Sequence, residues 1–440
     1  MGVVNLTIAK ARSTNYLKQI KDSVLYKIGA IAATFLAMPI MIKYLGVEQF
    51  GVWATMLTLI TWVMLFDLGI GNGLKNKISE SLAKNNVNQA TEYVSTAYGL
   101  VGVISFLLFT LFFVVNIWLP WQSIFNTEAI SKSTLKYSVI TLSFFIFFNF
   151  WISLVNQIYH GLQESSVVVL GQFISNVCAL ILVFLLYKFT ESSMLMMVLA
   201  YGFSLVFANV LLSILVFRKK VFLPKVGLFD KNKISPLLSL GVKFFIIQLA
   251  VLVIFMTDKI IITQLLGPEH VTPYEVLFKL FSVVTVIHGL ILAPLWPAYS
   301  DAYQRGDLAW IRSIMKQQLK VAFVLIVIVF LLSVVGPFIV SVWIGDEIKA
   351  ASSLYVLFAL FIAFSVWSNI FAYFVNAVNK LNVQLYTAVL AALINIPLSI
   401  FLVKYLGLGL EGIILATIIS LSIFAFFGPI QVFRLLKGTN

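Results

Sequence analysis

Charge is scarce in this sequence. Of its 440 residues only 11% are Asp, Glu, Lys or Arg, where a soluble domain carries about 25%. Acids are the scarcer sign, 17 against 30 Lys and Arg, and there are three histidines. Cysteine occurs once, at Cys178, which excludes a disulfide framework or a cysteine metal cluster within one chain. Its apolar surroundings assign it to packing. A phosphate loop is missing too. Asp67-Leu-Gly-Ile-Gly-Asn-Gly73 has glycine spacing like that of a nucleotide loop. It follows a hydrophobic helix instead of a strand and lacks Gly-Lys-Ser/Thr, so no ATPase signature is present.

In excess is apolar surface: 61% of residues are hydrophobic and the mean hydropathy is +1.02. No soluble core needs so much, and the surplus must face lipid. A bilayer core of roughly 30 Å takes about 20 apolar residues of helix. The pattern predicts twelve spans near 23–44, 51–71, 92–116, 137–159, 166–187, 194–217, 238–265, 273–297, 318–343, 353–377, 383–403 and 412–433. The first is too long for a signal-peptide core and lacks a small-residue cleavage site, so it is read as a retained span. Nineteen of the 30 Lys and Arg then fall in segments on the N-terminal side of the membrane. That bias is the positive-inside rule and places both termini in the cytoplasm. The net charge of +13 is thereby explained by orientation, without nucleic acid.

The basic connection from Arg218 to Lys233 follows six spans. The expected organisation is an N-terminal lobe at 1–220, a linker at 221–237 and a C-terminal lobe at 238–440. Gly46 and Glu48 match Gly267 and Glu269 at an offset of 221, and Ser79-Glu80 matches Ser300-Asp301 at the same offset. Asn149 and Asn156 map onto Asn369 and Asn376 at 220. Even numbers of spans leave both halves facing the same way, a parallel repeat suited to alternating access. Residues 72–91 and 298–317 are polar and are expected to form short amphipathic helices at the cytoplasmic surface.

Ionisable side chains are costly at membrane depth and face wet or protein-lined interiors. Lys27 shares a stripe with Ser23, Thr34 and Met38 in the first span, and either snorkels to the interface or lines a cavity. Asp258 and Lys259 point about 100° apart on one helix, so each is expected to find its partner on another. Lys259 lies on a stripe with Gln248 and Thr263. Glu275 and Lys279 have the spacing of a local i,i+4 pair, and His288 follows on the same span. Asp258 and His288 are the candidates for coupling to H⁺ or Na⁺, with a fixed Asp258–Lys279 salt bridge as the competing expectation. Asn149, Ser153, Asn156 and His160 stripe the fourth span; Ser365, Asn369, Asn376 and Asn379 answer in the tenth. Such stripes either form interhelical seams, at about 1 kcal/mol or less per bond, or hold a hydroxyl-rich solute. Pro39, Pro294, Pro297, Pro337 and Pro397, in or near spans, suit bent or moving helices.

Tyr44-Leu-Gly-Val-Glu-Gln-Phe-Gly-Val-Trp53 and Asp67-Leu-Gly-Ile-Gly-Asn-Gly-Leu-Lys-Asn-Lys-Ile-Ser-Glu80 resemble the corresponding segments of Wzx-type O-antigen flippases. These are polysaccharide transporters of the larger group that includes MATE-type antiporters and lipid II flippases. The resemblance implies an all-α integral membrane fold of two six-helix lobes in the bacterial inner membrane. The implied substrate is an undecaprenyl-pyrophosphate-linked oligosaccharide, moved from the cytoplasmic to the periplasmic leaflet beside membrane lipid. O-antigen polymerase and a chain-length regulator are the implied protein partners, and no cofactor is expected beyond a coupling ion. Lys27, Lys259 and Lys279 are the candidates for the pyrophosphate, and Asn149, Asn156, Asn369 and Asn376 for the sugars. The second half departs from the pattern, with Ala293-Pro-Leu-Trp-Pro297 where the first has its glycine run.

Two other functions compete. A MATE-like exporter of small cations would be expected to carry acids in its cavity, and here lysines outnumber acids within spans. A membrane glycosyltransferase or O-antigen polymerase would need catalytic groups in a sizeable external loop. The longest external segment, 117–136, has only Glu128, Lys132 and Lys136 as charges. A transporter without covalent chemistry is the expectation.

Overall fold

A computed structural model describes residues 2–62, 69–218, 222–238, 242–346, 348 and 350–437, and these contain helices and connections with no strand among them. In chain order the helices are α1 (Gly2–Leu45), α2 (Val47–Thr61), α3 (Ile70–Ala83), α4 (Val87–Val115), α5 (Trp121–Ile124) and α6 (Lys132–Ile152). There follow α7 (Leu154–Gly161), α8 (Ser165–Phe189), α9 (Met194–Phe217), α10 (Ile234–Leu238), α11 (Val242–Leu265) and α12 (Val271–Leu292). The last are α13 (Leu295–Gln304), α14 (Leu308–Ile344), α15 (Ser352–Ala377), α16 (Asn382–Lys404) and α17 (Gly409–Lys437).

Ten helical stretches among the described residues are long and apolar enough to cross a bilayer, so the chain is a multi-pass membrane protein. The other two expected spans, 51–71 and 238–265, include residues 63–68 and 239–241, which lie outside the described residues, as does Asp67. Large apolar side chains stay exposed along the spans, as at Phe106, Leu107 and Leu111 of α4 and Val334 and Phe338 of α14. On a soluble protein such a band would drive aggregation; here it is the lipid-facing surface.

Helix boundaries follow local chemistry. Asn86, Ser131, Ser193 and Asp307 each accept a hydrogen bond from the backbone N–H three residues on, capping α4, α6, α9 and α14. Those caps satisfy donors the helix cannot. Gly46 and Gly267, the pair matched in the internal repeat, end α1 and α11 at φ +80° and +107°. A side chain there would be strained, which gives the repeat its physical basis. Pro39, Pro337 and Pro397 lie inside α1, α14 and α16.

The chain forms two compact units, one of residues 1–46, 60–122 and 130–241, the other of 47–59, 123–129 and 242–440. Within the first, α1 packs on α8, α4 on α6, α6 on α9 and α8 on α9. Within the second, α11 packs on α16, α14 on α15, α15 on α17 and α16 on α17. These are the same pairings in the same chain order, so the repeat is structural as well as sequential. Two short pieces of the first half, 47–59 and 123–129, pack with the second unit: Thr55 hydrogen-bonds Thr263 at 2.8 Å, and Asn126 donates to the Thr263 carbonyl at 3.1 Å.

Helices α3 and α13 form the first parts of the expected amphipathic segments, whose remainders, 87–91 and 308–317, begin α4 and α14. In α3, Ile70, Leu74 and Ile78 are fully buried at four-residue spacing, while Asn72, Asn76 and Glu80 are exposed. Burying each of the three apolar side chains contributes roughly 2 kcal/mol. Gly73 lies against α10, and a β-carbon there would sit 2.0 Å from the Leu237 carbonyl oxygen. The glycine run thus serves close packing after its turn at Gly69, φ +82°. Lys77 and Lys84 hold Glu80 at 2.8 Å each and draw its carboxyl down to about 2.

Candidate functional site

In the first unit the polar stripes face other helices. Lys27 Nζ donates to Gln172 Oε1 of α8 at 3.0 Å, and Asn176 of α8 donates to Thr34 Oγ1 and the Ala30 carbonyl, each at 3.0 Å. Asn149 and Asn156 flank the break between α6 and α7, where Ser153 separates the two helices. They are bridged by Asn209 of α9, whose amide donates to Asn149 Oδ1 at 2.8 Å and accepts from Asn156 at 3.1 Å. The two asparagines are brought together in a seam, as one of the two sequence readings had it. Asn209 was missed, because a lone Asn in an apolar span gives no periodic signal.

In the second unit the charged residues of α11 reach α12 and α17. Asp258 is 1% exposed. Its Oδ2 accepts from the Tyr274 hydroxyl at 2.6 Å and the Thr417 hydroxyl at 3.1 Å. Asn395 of α16 donates to Thr417 Oγ1 at 3.2 Å, so four helices meet at one carboxyl group. Asp258 Oδ1 and Asn395 Oδ1 are buried without hydrogen-bond partners among the described residues. Lys259 pairs with Glu275 at 2.7 Å, both side chains more than four-fifths buried. Each residue of the Asp258–Lys259 doublet therefore finds its partner on another helix, as the 100° separation requires. Glu275 takes Lys259 across the helix gap, not Lys279 along its own, and Asp258 takes hydroxyls, not Lys279. Lys279 makes no ion pair among the described residues. The side chain of Gln248 lies outside them.

His288 of α12 is fully buried, and neither ring nitrogen has a partner among the described residues. Asn376 Oδ1 is likewise buried without a partner among them. Asn369 lines a cavity of about 330 Å³ whose wall is drawn from α11, α12, α15, α16 and α17. Ile254, Ala391 and Ser420 of its wall stand one helical turn from Asp258, Asn395 and Thr417, about 5–6 Å along three helices at once. The carboxyl cluster therefore adjoins the cavity. The sequence offers Asp258 and Asn369 as separate candidates; packing places Asn369 on the cavity wall and Asp258 one helical turn beyond Ile254 of that wall. Tyr274, Thr417 and Asn395 had not been singled out.

A buried carboxyl held by hydroxyl donors is chemically equipped for ion handling. Charge-assisted O–H donation stabilises the anion, and the free Oδ1 can take a proton, a cation or a water. No group of three or more His, Cys, Asp or Glu that could hold a metal occurs among the described residues.

The fold is that of the MATE transporters. It matches a multidrug resistance MATE family transporter in an inward-facing conformation with a TM-score of 0.76 at 13% identity, over 93% of this chain and 96% of that one. A second solved structure, a transporter of the same superfamily from Pyrococcus furiosus described as having a binding pocket of reversed polarity, matches with a TM-score of 0.62 at 14% identity, over 95% and 97%. Within that fold the chain belongs to the polysaccharide biosynthesis protein family, whose model matches residues 21–303; the MatE model matches 244–401. A candidate O-antigen export protein of Yersinia pseudotuberculosis is 23% identical over 80% of this chain and 81% of its own length. A candidate O-antigen transporter of Salmonella typhi is 23% identical over 92% and 93%.

Proposed function

We propose that this protein moves an undecaprenyl-pyrophosphate-linked oligosaccharide, an O-antigen repeat unit, from the cytoplasmic to the periplasmic leaflet of the inner membrane by alternating access. The observation that carries this reading is likeness along nearly the whole chain to relatives named for O-antigen transport, in a family of polysaccharide biosynthesis proteins. Physical need supports it. Neither an oligosaccharide nor a pyrophosphate crosses hydrocarbon unaided. Of the three candidate lysines, Lys27 and Lys279 make no ion pair among the described residues and can turn to phosphate oxygens. Lys259 is committed to Glu275, which makes it the weakest of the three candidates.

The coupling group in this reading is Asp258. A negative-inside potential assists export of an anionic headgroup by about 2.3 kcal/mol per charge per 100 mV, and a returning H⁺ or Na⁺ on Asp258 resets the empty carrier. Both termini lie in the cytoplasm. The test is deletion of the gene followed by analysis of lipid-linked intermediates. Complete repeat units should accumulate in the cytoplasmic leaflet. Export of single units that fail to polymerise would identify a polymerase instead, and unchanged surface polysaccharide would remove the reading.

A further inference from the structure

The cavity of the second unit has a wall chemistry that selects its occupant. Among the described residues no ionisable side chain lines it. Phe278 and Phe361 present aromatic rings with centroids 6.2 Å apart and 34° between planes. Ser365 and Thr387 already donate to the Phe361 and Val383 carbonyls, at 2.9 and 2.8 Å, so toward the cavity they offer lone pairs. Asn369 and Gln384 add amide groups with both donors and acceptors. Ser368 Oγ, Ser420 Oγ and Gln384 Oε1 belong to residues of this wall and are buried with no hydrogen-bond partner among the described residues. Buried polar atoms are satisfied in folded proteins, by protein, water or ligand. Hydroxyl and amide side chains from four of the five helices around the hollow suit an occupant that hydrogen-bonds.

We propose that this cavity binds one neutral hydroxyl-bearing ring, a single sugar unit of the transported oligosaccharide, and excludes its pyrophosphate. A pyrophosphate in a hollow with no cationic side chain on its described wall loses its hydration for nothing in return. An apolar solute would leave the hydroxyl and amide groups of the wall without partners. A pyranose meets both demands, with C–H faces for the phenylalanines and hydroxyls that both donate and accept. The volume of about 330 Å³ is at the small end of the roughly 300–1,000 Å³ range of ligand pockets, which suits one ring. Attribution of that ring to the cargo rests on the polysaccharide-transporter reading; the chemistry of the cavity does not.

The test uses the single native cysteine to advantage. In a Cys178→Ser background, Ser365→Cys is placed on the cavity wall, the full chain is reconstituted in lipid nanodiscs, and its rate of reaction with N-ethylmaleimide is followed. Glucose, galactose and N-acetylglucosamine are added separately at about 100 mM, enough to saturate a millimolar site, with sodium pyrophosphate, tetraethylammonium and betaine at equal osmolality. At least one sugar should slow labelling about tenfold, as expected for a Kd near 10 mM, and neither ion should. Thr387→Cys on α16 should repeat the pattern, and serves alone if Ser365→Cys fails to fold. Gln384→Leu should remove the protection. Equal rates with every solute would make the cavity a water-filled void. Absence of labelling at both positions would make it sealed, and protection by pyrophosphate or the cation would reverse its selectivity; each overturns the proposal. Because free sugars are the probe, sugar protection together with normal export in the deletion strain would sink only the transport reading. Blocked export without protection would sink only the cavity.

Discussion

Glu275→Gln should be among the most damaging conservative changes in the second unit. Its partner Lys259 lies 2.7 Å away, with 17% and 11% of the two side chains exposed. Removing one member of a buried pair leaves the other charge uncompensated, at about 3–5 kcal/mol. With Gln at 275, the Lys259 ammonium is left in that position, and we expect a loss of about 3 kcal/mol, roughly two decades in the folding equilibrium. Lys259→Met should cost less. Glu275 then retains Lys279, one turn along α12, which already acts on it electrostatically. The double variant should be no worse than Glu275→Gln alone, giving a coupling energy of about 2–3 kcal/mol. The assay is equilibrium unfolding in mixed detergent–SDS micelles, followed by tryptophan fluorescence, for the parent, both singles and the double. Additive losses would show that the two side chains do not act as a pair. Losses below about 0.5 kcal/mol in both singles would show that the site is wetter than its burial implies.

Asp258→Asn should abolish ion-gradient-driven transport while the protein folds and reaches the membrane; gradient-dependent transport at the parental rate would move the coupling site elsewhere. Asn209→Leu breaks both bonds of the Asn149–Asn156 bridge and should cost about 1–2 kcal/mol in the same unfolding assay, with no loss refuting a structural seam. Gly73→Ala puts a methyl group into the Leu237 carbonyl and should destabilise by about 1–3 kcal/mol, read as faster proteolysis of residues 222–238; unchanged cleavage would count against that contact. The Glu80 carboxyl, at about 2 against its usual 4.5, contributes stability that is complete above the usual value and lost as pH falls through the lowered one. Carbon-detected NMR at low salt should show it titrating near 2 and moving upward in concentrated salt, because the two lysine pairs are exposed; titration near 4.5 at low salt would refute the pairing.

Much of the architecture was legible in the residues alone. Low charge and long apolar runs left lipid as the only solvent for the spans, since backbone polar groups in a bilayer must be satisfied within helices. The Gly46–Gly267 match was readable because both positions need a backbone conformation that other residues resist, so the repeat survives as glycine even where side chains have diverged. The polar run from residue 72 was readable as an amphipathic segment, and α3 there buries Ile70, Leu74 and Ile78 along one face. Partner choice was not legible. Nothing in the local spacing says that Glu275 turns to Lys259 instead of Lys279, that Asn209 bridges Asn149 and Asn156, or that 47–59 pack with the second unit. Those outcomes depend on how each helix is rotated and which neighbour it meets, and a residue's own helix gives only its direction. The cavity is the extreme case. Its wall is drawn from five helices spread over residues 254–424, with ordinary serines, threonines and phenylalanines that carry no signal one by one. Sequence determined that this chain lives in a membrane as two like halves; tertiary structure decided which of its polar groups are spent on each other and which are left facing a hollow.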